Sequence, residues 1–201
     1  RTLLPVKQMT GAVKKIREEE NLSGRIGLEG HGRKDEIYVL AETFDEMLAQ
    51  VERLNLSELT EMAVEEQKLL AEEKGLCRTF ELQIEPEVYA RADESYYIRL
   101  LVNLLENAVY YGKENGMVKV TLSKNGKMIE GIVEDNGIGI SEEDLVHIWE
   151  RFYRADPARS TDSHSGLGLS MVKWIVEAHG GTIRAESRLG EGTRFIFEIP
   201  E

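Results

Sequence analysis

Gly131-Ile132-Val133-Glu134-Asp135-Asn136-Gly137-Ile138-Gly139-Ile140 runs from an alternating apolar segment into a loop with two glycines one residue apart. The alternation predicts a strand that delivers Asp135 to the loop. A carboxylate there can accept a hydrogen bond from an exocyclic amine. Gly137 and Gly139 let a flat ring lie against bare backbone, where a Cβ would obstruct it. A second glycine pair, in Ser165-Gly166-Leu167-Gly168-Leu169-Ser170, opens a helical pattern carried by Leu169, Val172, Ile175 and Val176. Glycines at a helix start leave N–H groups aimed outward, which suits phosphate oxygens. Either pair alone reads more readily as a turn. Neither continues into a dinucleotide fingerprint or a P-loop.

A third element changes the balance. Leu100-Leu101-Val102-Asn103-Leu104-Leu105-Glu106-Asn107-Ala108 predicts a helix with apolar positions at 100, 101, 104, 105 and 108. Asn103 and Asn107 are four apart and share a helical face. Two amide oxygens on one face suit Mg²⁺ bridging phosphates. Base, phosphates and cation together describe a nucleotide site.

The order Asn-x-x-x-Asn-Ala, Asp-x-Gly-x-Gly, Arg151-Phe152-Tyr153-Arg154, Gly-Leu-Gly-Leu and Gly190-Glu191-Gly192-Thr193 resembles the catalytic ATP-binding domain of sensor histidine kinases. It is similar to their N, G1, F, G2 and G3 boxes in sequence order. The gyrase and MutL ATPases share this ATP fold but usually carry a catalytic glutamate where Asn103 stands. The resemblance therefore favours the kinase branch. It implies an α+β fold, a two-layer α/β sandwich of the Bergerat/GHKL type. It implies ATP and Mg²⁺, with Asp135 accepting from adenine N6 beside Gly137 and Gly139. Asn107, aided by Asn103, would hold Mg²⁺. Gly166, Leu167, Gly168 and Thr193 would line the phosphate side, with Tyr111 and Phe152 packed by the nucleotide. Arg154 would pair with the γ-phosphate and Glu106 would polarise an acceptor histidine. The family usually has Lys or Arg where Tyr110 stands, a place Lys113 is near enough to fill. The small polar residues 154–165 would form a lid over the nucleotide.

The chain has 201 residues, a net charge of −12, and Cys77 as its only cysteine. That charge argues against nucleic-acid binding, and one cysteine permits no internal disulfide. No apolar run approaches a membrane span and no secretory signal appears, so the chain as given reads as soluble. The charge is uneven, because residues 1–17 carry Arg1, Lys7, Lys14, Lys15 and Arg17 and no acid. A basic start suits the cytoplasmic side of a membrane helix.

Val6, Met9, Val13 and Ile16 form one seam, a glycine-broken connector follows, and Ile37, Leu40, Phe44, Met47, Val51 and Leu54 form a second. Steps of three and four residues are those of a coiled coil. The pattern resembles a HAMP signal-relay module, with Tyr38 where that family has glycine after Asp-Glu-Ile. We expect residues 1–54 to be this helical module, dimeric, and residues 55–201 to be the ATP-binding domain.

Downstream, Ser57 is expected to cap a helix whose apolar face is Leu59, Met62, Ala63, Leu69 and Leu70 and which ends at Gly75. Arg78–Ile84 alternates as a strand. Val118, Val120 and Leu122 lead into a hairpin at Lys124-Asn125-Gly126-Lys127. Ser141 is expected to cap a helix over Leu145–Trp149, and strands over Thr182–Ser187 and Thr193–Ile199 close the sheet. A kinase of this family places a helical phosphoacceptor hairpin between the two modules. None of His31, His147, His164 and His179 lies in a matching box. The reading is a two-component histidine kinase part that lacks this hairpin and serves a response regulator at the membrane's cytoplasmic face. An ATP-binding regulator or anti-sigma-type serine kinase is the alternative.

Overall fold

The computed structural model describes residues 52–76, 78–154 and 166–201. The helical front module, Cys77 and residues 155–165 of the expected lid lie outside the described residues. Among the described residues, seven strands and four helices follow in order. They are β1 (Glu52–Asn55), α1 (Leu56–Glu73), β2 (Arg78–Ile84), β3 (Tyr89–Ala92), α2 (Glu94–Tyr111), β4 (Gly116–Asn125), β5 (Met128–Asp135), α3 (Glu142–Leu145), α4 (Gly168–Ala178), β6 (Thr182–Arg188) and β7 (Gly192–Pro200). β1 pairs with β3, and the main sheet has the order β2-β4-β5-β7-β6. Only β2 and β4 are parallel in it; every other pair is antiparallel.

The sheet is covered on one face by α1, α2 and α4. Odd-numbered positions of β5 and β7 point into that layer, so Ile129, Val133, Phe195, Phe197 and Ile199 meet Leu100, Leu104, Val172 and Ile175 in one core. Gly131 is opposite Phe197 in the ladder. A Cβ there would lie 2.1 Å from the Phe197 ring, so glycine makes the space this phenyl fills. The expected two-layer α/β sandwich is the fold observed. On the other face Arg194 lies between Glu134 and Glu186, in ion pairs open to solvent.

Four expectations are corrected. Leu54 is not the end of a helical seam: it is in β1, pairs with Ala90, and is buried. Ser57 does not cap α1. Asn55 does, and the Ser57 hydroxyl donates to the Glu85 carbonyl at 2.7 Å and accepts from the Val88 N–H. The inward face of α1 is Leu56, Thr60, Ala63, Val64, Gln67 and Ala71. Met62 and Leu69 are 61% and 53% exposed. Thr60 can be inside because its hydroxyl bonds the Leu56 carbonyl at 2.7 Å and the Tyr97 hydroxyl at 2.8 Å. Ser141 does cap α3, but that helix ends at Leu145.

Candidate functional site

β5 ends at Asp135, which continues the strand's inward row and so emerges between sheet and helices. The residue is only 7% exposed. Gly137 N–H donates to Asp135 Oδ1 at 2.7 Å. Burial pushes the carboxyl up to about 6, against the relief given by the backbone N–H groups of Gly137 and Thr193. The loop after it is clamped from two sides. Ile138 N–H donates to the Tyr111 carbonyl at the end of α2, and Gly190 N–H donates to the Ile138 carbonyl from the β6–β7 turn. Gly139 has φ +69°, and a Cβ on it would lie 2.0 Å from the Arg188 carbonyl. That glycine is needed for close packing of two loops. The same glycine also lines the cavity beside Asp135.

A cavity of about 210 Å³ opens beside Asp135. From α2 it is lined by Asn103, Glu106, Asn107 and Tyr111, and from the strand ends by Asp135 and Thr193. Gly139, Arg154, Gly166 and Gly168 complete the expected set, so ten of the named residues meet in one place. Asn103 Nδ2 donates to the Arg99 carbonyl at 2.7 Å. Its oxygen faces the start of α4, 2.8 Å from where a Gly168 Cβ would stand. Leu167, the N-cap of α4, makes no side-chain capping bond, so the first N–H groups of α4 have no side-chain acceptor there.

Four expected residues do not line this cavity. Gly137 is beneath it, and a Cβ there would meet the Tyr111 carbonyl at 2.3 Å. Leu167 serves as the α4 cap. Phe152 is 71% exposed with φ +66°. Its N–H donates to the Gly166 carbonyl, which joins the two ends of the segment between them. Lys113 donates to the Gly190 carbonyl at 2.6 Å, so it braces the turn and does not stand in for the usual cation. Arg154 is the cation among the described lining residues.

The sequence reading missed the apolar wall: Ile138, Ile140, Ile148, Leu169 and Phe195. Ile138 and Ile140 alternate with the glycines, a signal that was available. Tyr153 was also missed as a lining residue; its hydroxyl donates to Asp144 Oδ1 at 2.6 Å and its ring is 5.3 Å from His147. Such a site presents a buried acceptor, apolar walls for a flat ring, and further polar side chains from α2.

A family model described as "Histidine kinase-, DNA gyrase B-, and HSP90-like ATPase" matches residues 92–201, more than half the chain. The chain belongs to this ATPase family. Within it, the sensor histidine kinase type is shown by the company it keeps, since a HAMP domain model matches residues 1–53. The sensor histidine kinase YclK of Bacillus subtilis is 39% identical over 147 residues, 72% of this chain. The chain spans 30% of YclK. The solved mycobacterial sensor histidine kinase MprB is 28% identical with a TM-score of 0.66, over 74% of this chain and 97% of that one. Full-length ShkA, solved in complex with AMPPNP, is 25% identical with a TM-score of 0.63, over 83% of this chain and 38% of that one. The family match over residues 92–201 spans every residue named as lining the cavity.

Proposed function

We propose that this chain is the ATP-binding catalytic part of a two-component sensor histidine kinase. The observation that carries it is one cavity lined by a buried acceptor, Asp135, together with Asn103, Glu106, Asn107 and Arg154. In this reading Asp135 accepts from the adenine amine, and Ile138, Ile140, Ile148 and Phe195 sandwich the ring. The open N–H groups at the start of α4 face phosphate oxygens. Arg154 pairs with the terminal phosphate, as a guanidinium matches that geometry. Phosphoryl transfer of this kind rests on positioning and charge neutralisation. The bond from the γ-phosphorus to the ADP oxygen breaks, and a bond to the acceptor imidazole nitrogen forms. Glu106, exposed on the helix face beside the cavity, takes the proton that the imidazole releases.

Mg²⁺ fits the oxygen donors present. Among the described residues no group of three His, Cys, Asp or Glu could hold a metal. A hard cation here would take amide and phosphate oxygens, from Asn107 with Asn103 behind it. It supplies charge neutralisation at the phosphates. Asn107→Ala is expected to weaken ATP binding about tenfold in the presence of Mg²⁺. Its affinity with chelator present should match that of the unaltered chain. Calorimetric titration in the two buffers checks this, and equal loss in both would remove Asn107 from the cation's ligands.

The front of the chain completes the proposal. Residues 1–54 would form a HAMP-like relay that dimerises, joined to the ATP-binding domain at 55–201, or a few residues earlier if β1 is counted with the domain it pairs in. Among the described residues no helix is long and apolar enough to cross a membrane. The basic residues of segment 1–17 would suit a position just inside a membrane, and a response regulator would be the final phosphoryl acceptor. Phe44→Asp would put a charge in the seam and should shift the chain from dimer to monomer in sedimentation. An unaltered chain that is monomeric at high concentration would count against the relay.

A further inference from the structure

His179 is the first residue after α4, and both of its ring nitrogens are engaged. Nδ1 is 2.8 Å from the Ile175 carbonyl oxygen. Nε2 is 3.2 Å from the backbone nitrogen of Asp93. A carbonyl only accepts and an amide N–H only donates, so the bonds leave one assignment. Nδ1 carries the proton and donates; Nε2 is bare and accepts. Asp93 is the N-cap of α2, with its own carboxylate accepting from Tyr96 N–H at 2.9 Å. The imidazole therefore joins the last turn of α4 to the first turn of α2.

Both helices line the nucleotide site. α2 presents Asn103, Glu106 and Asn107, and α4 begins at Gly168. Three contacts fasten the pair along its length. His179 bonds Asp93 at one end, Tyr96 and Trp174 meet edge to face at 5.3 Å, and Asn103 abuts Gly168 at the other. Asp93 and Asn103 are ten residues apart, or about 15 Å along a helix. A rotation or slide at the His179 end is thus delivered to the phosphate end. The chain leaving α4 has no slack to absorb it, since a Cβ on Gly181 would lie 2.1 Å from the Glu198 carbonyl.

We propose that His179 is a positioning residue for the nucleotide site, holding the Asn103–Asn107 face of α2 at a fixed distance from the start of α4. The inference rests on the nucleotide reading above, and its test separates the two. Glutamine can reach as Nε2 does and accept from Asp93 N–H. Asparagine reaches only as far as Nδ1 and keeps the Ile175 bond alone. In Mg²⁺–ATP titrations of the full 201-residue chain, His179→Gln should bind within about twofold of the unaltered chain. His179→Asn and His179→Ala should each bind about tenfold more weakly, the loss of one hydrogen bond at a partly buried site. All three variants should melt below the unaltered chain, because each disturbs the cap. Affinity that follows melting temperature across the three would mean a merely structural role and overturn the proposal, as would equal affinity in all of them. If the unaltered chain binds no ATP, the nucleotide reading fails by itself. The positioning is then read without ligand, from the Asn103 and Asn107 side-chain amide and Gly168 resonances. These should move in the asparagine variant and hold in the glutamine variant; unmoved resonances in both overturn it.

Discussion

Asp135→Ala is expected to weaken adenine-nucleotide binding about a hundredfold or more, the cost of losing a charged acceptor in a desolvated site. The carboxylate is spent on two backbone N–H groups from below and faces the cavity with its remaining lone pairs. The other carboxylate among the described lining residues, Glu106, is exposed. The same burial makes the group costly to the fold. Its folded pKa, about 6, is above the ordinary 3.8. A carboxyl raised in this way favours the folded state when protonated. That contribution is complete below the ordinary value and is lost as pH rises through about 6. At neutral pH the protein thus keeps an ionised, buried carboxylate that the fold alone would not select. Asp135→Asn, which keeps shape and removes charge, should melt higher than the unaltered chain at pH 7.5 and no higher near pH 4. Nucleotide affinity of the unaltered chain should fall as pH is lowered through about 6. A stable, tightly binding alanine variant would remove Asp135 from the base site.

The strands of the main sheet are legible in the sequence because they alternate and have readable ends, whereas β1 falls in the expected helical seam and β3 in a stretch with no expected element. Arg78–Ile84 and the hairpin on Gly126 were expected where they occur. α1 was legible as a helix but not in its facing. It carries two apolar stripes, and the outer one, with Met62 and Leu69, is the more hydrophobic to the eye. The inner stripe includes Thr60 and Gln67, whose burial depends on partners elsewhere in the chain. Thr60 needs Tyr97, 37 residues on, and Ser57 needs Glu85. Local pattern contains no record of such partners. In the site, ordered motifs placed Asp135, Asn103, Asn107, Gly166 and Gly168 around one cavity. What spacing could not supply was direction. Phe152 and Lys113 lie close in sequence to lining residues, yet the backbone turns them elsewhere.

The chain should bind ATP, leave its own histidines unlabelled, and transfer label to a phosphoacceptor hairpin of a sensor histidine kinase supplied in trans. Of its four histidines, His31 and His164 lie outside the described residues. His179 has both ring nitrogens committed between Ile175 and Asp93, so it cannot attack phosphorus without releasing α2. His147 is on the surface after α3, with Nδ1 2.8 Å from Glu150 and its ring against Tyr153. It is not among the residues lining the cavity. A nucleotide site built to position phosphate needs an acceptor brought to it in line, and docking of a separate hairpin supplies that geometry. Incubation with γ-labelled ATP, with and without the hairpin, followed by acid treatment, reads the result. Acid-labile label on the hairpin alone is expected. Glu106→Gln should slow that transfer about a hundredfold, the range for a general base, while ATP affinity holds. Acid-labile label on any of the chain's own four histidines would overturn the expectation. So would transfer that is indifferent to Glu106, because the proton of the attacking imidazole would then leave by another route.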